Sequence, residues 1–159
     1  MNSKTHFQAA GYHTVTPYLI SSDATRALEF YKQAFGATEI MRMSAPGGKV
    51  GHAEIQIGDS RIMVADEAPQ CNALSPQTVG GTPVSLMIYV ADVDAMFAKA
   101  VSLGAKALMP VKDQFYGDRS GNFEDPFGHV WTLATHKEEL SLEEITRRCE
   151  EFMKKQQPV

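Results

Sequence analysis

At 159 residues, with 43% apolar and 21% charged side chains, the chain suits one compact domain or two very small ones, burying roughly 70% of its unfolded surface. A net charge of −4 with no basic run argues against a nucleic-acid partner. The apolar runs are too short for a bilayer, residues 1–12 lack a signal-peptide core, and Cys71 and Cys149 make no disulfide framework. A cytoplasmic chain with free thiols and no membrane association is therefore expected.

His13–Ile20 alternates in polarity and reads as a strand. Asp23 then caps a helix with Ala27, Leu28, Tyr31 and Phe35 on one stripe, and Gly36 closes it. Thr38–Met43 reads as a strand and Pro46-Gly47-Gly48 as a turn. The spacing around Gly47-Gly48-Lys49 does not fit a P-loop. Lys49–Ile57 and Ser60–Asp66 pair around a two-residue Gly58-Asp59 turn. Residues 13–66 thus form one βαβββ module.

Residues 67–82, rich in Pro, Gly, Ser, Gln and Asn, read as a linker. The pattern then restarts over 83–136. Pro83–Val90 is a strand, and Asp92 or Asp94 caps a helix carrying Val93, Met96, Phe97, Ala100 and Leu103 up to Gly104. Strands follow at Lys106–Val111, Tyr116–Glu124 and His129–Thr135, the last two flanking the Asp125-Pro126-Phe127-Gly128 turn. Gly36-Ala37 and Gly104-Ala105 are equivalent points, shifted by 104 − 36 = 68 positions. Residues 141–156 open on a capping box, Ser141-Leu-Glu-Glu144, and carry Ile145, Cys149, Phe152 and Met153 on one stripe. The fold class is α+β: two βαβββ modules forming a cupped mixed sheet, helices on the outer face, and a C-terminal amphipathic helix.

The run Asp23-Ala-Thr-Arg-Ala-Leu-Glu-Phe-Tyr31 and the Asp125-Pro-Phe-Gly-His-Val-Trp131 ending resemble the vicinal-oxygen-chelate superfamily, which holds the glyoxalases, bleomycin-resistance proteins and ring-cleaving dioxygenases. Tyr116-Gly-Asp-Arg-Ser-Gly121, and His52-Ala-Glu54 before Ile57-Gly-Asp59, look more narrowly like its PhnB-like branch. The resemblance spans residues 13–135 and implies a homodimer with a ligand cup. In metal-using members the ligands come from the first and last strands of each module. Carried onto this chain, those positions are Thr16, Met63, Ser85 and Thr132. Hydroxyls and a thioether are a poor donor set for Zn, Ni, Mn or Fe(II), so no cofactor is expected.

Strand alternation puts Ile62, Val64, Leu86, Ile88, Trp131 and Leu133 on the helix-covered face. Thr16, Met63, Ser85 and Thr132 fall on the other, with Tyr18, Met87 and Tyr89. Phe115 and Tyr116 are further candidates for that lining, and Arg119 is a candidate for binding a carboxylate or phosphonate or, equally, for pairing with Asp118 or Glu124. A soft, aromatic lining suits an aromatic or amphipathic small molecule. Three readings follow: a metal-independent binding protein that sequesters such a ligand; an enzyme with Glu54 and His52 as base or as ligands of a displaced divalent metal; an interaction module built on the C-terminal stripe. Glu54 and Arg61 read equally well as a diagonal cross-strand ion pair.

Overall fold

The chain divides between Thr82 and Pro83 into two units, each with its own sheet. The computed structural model describes residues 7–156; residues 1–6, part of the stretch read for a signal peptide, lie outside the described residues.

In the first unit, β1 (Tyr18–Ser21), β2 (Thr38–Ala45), β3 (Lys49–Ile57) and β4 (Ser60–Asp66) form one sheet in the order β1-β4-β3-β2. β1 runs parallel to β4 and the other neighbours are antiparallel. Helix α1 (Ala24–Phe35) covers one face, burying Leu28 and Tyr31 completely against Ile55 and Val64 of the sheet side. Its start is fixed twice: the Asp23 side chain accepts from Arg26 N at 3.0 Å, and Asp66 Oδ1 accepts from Ala24 N at 2.7 Å. Both satisfy donors that a helix N-terminus cannot pair within itself. Asp66 Oδ2 also takes Val50 N at 2.6 Å, so one carboxylate joins helix, β3 and β4.

The segment read as a linker folds onto the first unit. It contains a short 3₁₀ turn at Pro69–Cys71 and helix α2 (Pro76–Val79). Ser75 is fully buried, its N–H bound to Glu67 at 2.7 Å. The polar groups of Glu67, Ser75 and Thr78 satisfy one another and hold it down. The first strand is also shorter than expected, because residues 13–17 do not pair as a ladder.

The second unit repeats the plan. β5 (Ser85–Tyr89), β6 (Lys106–Asp113), β7 (Asp118–Glu124) and β8 (Val130–His136) are ordered β5-β8-β7-β6, with β5 and β8 parallel. Helix α3 (Val93–Ser102) starts at Asp92, whose side chain accepts from Ala95 N at 3.0 Å. Trp131 and Leu133 are fully buried on the helix side. Thr135 Oγ1 accepts from Val93 N at 3.0 Å, which is the task Asp66 performs for Ala24; 135 − 66 and 93 − 24 are both 69. β6 is an edge strand that carries Pro110 and loses register between Met109 and Lys112, as proline at an edge permits. Gly121 of β7 lies so close to it that a Cβ would stand 2.9 Å from Val111 N. After β8, helix α4 (Leu142–Gln156) begins at Ser141, whose Oγ accepts from Glu144 N at 3.2 Å. No helix among the described residues is long and apolar enough to cross a membrane. Cys71 and Cys149 are unpaired thiols.

The closing turn holds the second sheet together. Asp125, 3% exposed, accepts from Phe127 N (2.9 Å) and His129 N (3.0 Å) on Oδ1 and from Trp131 Nε1 (2.9 Å) on Oδ2. A carboxylate that accepts three donors is a satisfied buried charge.

Candidate functional site

Each sheet has one face covered by its helix and one free of it, and the pairing register decides which side chains share the latter. In the first unit Tyr18 lies beside Met63, Met63 opposite Glu54, and Glu54 opposite Met41. One row thus crosses all four strands. His52, opposite Met43, is two residues along β3 and so on the same side.

Polar contacts knit this face. Tyr18 Oη is 2.8 Å from His52 Nδ1, with the two rings edge to face at 5.4 Å. His52 Nε2 faces Glu54 Oε1 at 3.3 Å, and Arg61 Nη1 is 3.6 Å from Glu54 Oε2. The Glu54–Arg61 diagonal pair therefore forms, with His52 on the other carboxylate oxygen. Tyr12, from the segment ahead of β1, lies under the Arg61 guanidinium at 4.7 Å from its ring centroid. Its enclosed hydroxyl stands close to Glu54 without good hydrogen-bond geometry. Tyr12 first, and then His52, hold the Glu54 carboxyl below its usual range against the opposing effect of burial. Burial, and then Glu54, push the Tyr12 phenol up. Sequence reasoning missed Tyr12, because nothing local says that a residue before the first strand folds back over the sheet.

In the second unit Met87 lies beside Thr132, Thr132 opposite Asn122, and Asn122 opposite Met109. Ser85 and Tyr89 flank Met87 on β5 and share its side. Asp118 was also missed. It is 5% exposed, accepts from Tyr89 Oη at 2.9 Å on Oδ2, and has His136 Nδ1 at 2.8 Å on Oδ1. The Asp118 hydrogen bond, and then burial, raise the Tyr89 phenol; Asp118, and then Glu139, raise the His136 imidazole. An Asp-Arg pair at the start of a strand offers no hint that the first residue turns inward and the second outward.

Two expectations are corrected. Arg119 is not on the helix-free face: it alternates with Asp118 and Ser120 and reaches Asp94 of α3 through two bonds of 2.7 Å, with Asp113 at 3.1 Å. Its guanidinium is consumed by this pairing. Thr16 lies ahead of β1 rather than in it, and its hydroxyl reaches only His13 O, at 3.5 Å. The Tyr116 hydroxyl stands 3.5 Å from Ser120 Oγ, on the side that Ser120 shares with Asp118; Phe115 and Tyr116 also stack edge to face with each other and, with Ile145, Cys149 and Met153 of α4, line a groove of about 690 Å³. Phe115 also meets Phe152 there, at 5.3 Å between ring centroids.

The four positions that the resemblance assigns to metal ligands are Thr16 and Met63 in one unit and Ser85 and Thr132 in the other. Three hydroxyls and a thioether do not fit a divalent transition metal. Among the described residues no three His, Cys, Asp or Glu side chains converge on one point. His52 and Glu54 supply two donors, and Glu54 is already shared with Arg61.

Comparison with known proteins agrees with this architecture. The chain is 40% identical over 134 residues to the uncharacterised protein Mb0911c of Mycobacterium bovis, covering 82% of this chain and 88% of that one. Among solved structures, the PhnB protein of Bacillus cereus superposes with a TM-score of 0.62 at 20% identity, covering 77% of this chain and 99% of the other. The fosfomycin resistance protein FosX of Listeria monocytogenes, solved with Mn(II) and sulfate, gives 0.62 at 21% identity, covering 86% and 97%. The sequence profile of the Glyoxalase/Bleomycin resistance protein/Dioxygenase superfamily matches residues 11–133, and the chain belongs to that superfamily.

Proposed function

We propose that this protein binds and sequesters an aromatic or amphipathic small molecule without a metal, as a cytoplasmic homodimer. The observation that carries the reading is the apolar and aromatic exposure on the helix-free faces: Tyr18 is 49%, Met87 47% and Tyr89 62% exposed. Tyrosine supplies a flat, stiff surface and methionine an adaptable one, and each gains when a ligand covers it. A fosfomycin resistance protein among the structural neighbours supports a role in dealing with small molecules.

The enzymatic alternative depends on Glu54 as base or metal ligand. A general base works best with a pKa near the working pH. Glu54 is displaced the other way, by Tyr12 and His52, and is ion-paired to Arg61. Such a carboxylate is a weak base.

Native mass spectrometry of untagged protein from cells tests the reading. A dimer with an organic adduct and no metal is expected. The adduct should persist in Glu54→Ala and be lost in Tyr89→Ala. One divalent ion per subunit, or metal-dependent turnover abolished by Glu54→Ala, would overturn it.

A further inference from the structure

Helix α4 is amphipathic, and its apolar stripe is only partly covered. Leu142 is 80% and Met153 60% exposed, and a helix returns to the same side after about eleven residues. Thr146 and Cys149 lie between them on that side. One flank of the stripe is closed within the chain, where Phe115 meets Phe152 and forms, with Tyr116, the other wall of the groove. What remains is an apolar trough running along the helix, a shape that an amphipathic helix fills.

The charges say which helix. Arg147 and Arg148 are paired inside the chain with Glu144, Glu151 and Glu138. Those pairs leave out Glu143 in the first turn and Lys154 and Lys155 in the last. The helix is acidic where it starts and basic where it ends, so an antiparallel copy of itself presents the complementary order. Laid side by side over their full length, Glu143 and Glu144 of each chain come beside Lys154 and Lys155 of the other, and the two helix dipoles oppose. A parallel copy would set acid against acid and base against base. In the antiparallel pair Cys149, the central residue of Leu142–Gln156, falls at the two-fold axis, with Thr146 about one turn before it. Two small side chains there let the helices approach to the near end of the usual range, about 8 Å between axes.

We infer that α4 is a self-association surface, on which a second copy of this chain lays its own α4 antiparallel, along the exposed stripe and beside Phe115 and Tyr116. This rests on the homodimer of the reading above and assigns the surface that forms it. A small molecule in the same trough would make no use of the opposite charges at its two ends. The 15 residues of α4 span only about 22 Å. That is a short contact beside the roughly 800 Å² per partner of a standard interface, so the dimer should dissociate on dilution.

Sedimentation equilibrium of the full chain over a dilution series tests the assignment. Met153→Asp sets a carboxylate into the stripe and should weaken the dimer at least about tenfold, with Leu142→Asp as the second variant if the first does not fold. Glu143→Lys should weaken it about three- to tenfold, because it sets Lys against the partner's Lys154 at two symmetric places. Adding Lys154→Glu should then restore the wild-type association. Compensation of the dipole within a single helix predicts the reverse, with the double variant weakest, since the favourable charge is lost at both ends. A dimer that Met153→Asp and Leu142→Asp both leave unchanged overturns the assignment to α4 and leaves the homodimer standing. Glu143→Lys without effect, or with an effect that Lys154→Glu does not restore, overturns the antiparallel order. A wild-type chain that stays monomeric at every concentration overturns the surface and the homodimer together.

Discussion

Asp125→Asn isolates the bond that closes the second sheet. An asparagine that keeps its oxygen for Phe127 N and His129 N must turn its NH₂ toward Trp131 Nε1, so two donors face each other where one bond stood. A hydrogen bond to a charged acceptor is worth about 1.5–3 kcal/mol, and an indole N–H left buried without an acceptor adds part of its desolvation cost, so about 2–4 kcal/mol should be lost. Trp131→Phe removes the donor, and in that background Asp125→Asn should cost only about 1 kcal/mol, a coupling of about 1–3 kcal/mol. Urea unfolding of all four proteins, followed by far-ultraviolet circular dichroism, measures the cycle. Trp131 is the sole tryptophan, so its fluorescence reports on the second unit in the proteins that retain it. Coincidence of the two signals checks that the two units unfold together. Additive losses, with no coupling beyond about 0.5 kcal/mol, would refute the claim that the Asp125–Trp131 bond holds the turn.

Asp66→Ala should cost about 2–3 kcal/mol, since it strips an acceptor from both Ala24 N and Val50 N; Thr135→Val in the second unit should cost less, because a neutral hydroxyl is lost, and urea midpoints rank the two. Gly121→Ala should destabilise by about 1–3 kcal/mol through the clash with the β6 backbone, seen as a lower thermal midpoint. Glu39 is held down to about 2, against an ordinary 4.5, by Arg42 and then Lys32. Its folded pKa is depressed, so the stability it contributes is present above about pH 4.5 and is lost as the pH falls toward 2. The pair is partly exposed, so the loss should be about 1 kcal/mol or less, and Glu39→Gln should flatten that part of the stability–pH curve. His136 should titrate above its ordinary 6.5 in proton NMR, returning toward it in Asp118→Asn.

Local chemistry made most of the fold legible. Capping by Asp23, Asp92 and Ser141, the Gly58-Asp59 turn and the Asp125-Pro-Phe-Gly128 turn act over a few residues, and each stands in the structure where the sequence puts it. The period-two alternation sorted Ile62, Val64, Trp131 and Leu133 to the helix side, because a strand has only two faces. The segment 67–82 escaped because Ser75 and Glu67 are held down by contacts that composition does not record.

By itself, then, the sequence determined the repeat, its register, and the family, all of which depend on nearest neighbours in the chain or on alternation. Tertiary structure decided which charges remain free. Arg119 was read as an anion binder until α3 brought Asp94 to it, and Asp118 drew no notice until the fold set Tyr89 and His136 against it. The reason is that a charge or hydroxyl proton is spent on whichever partner the fold delivers within about 3 Å, and those partners lie 25 and 29 residues away along the chain.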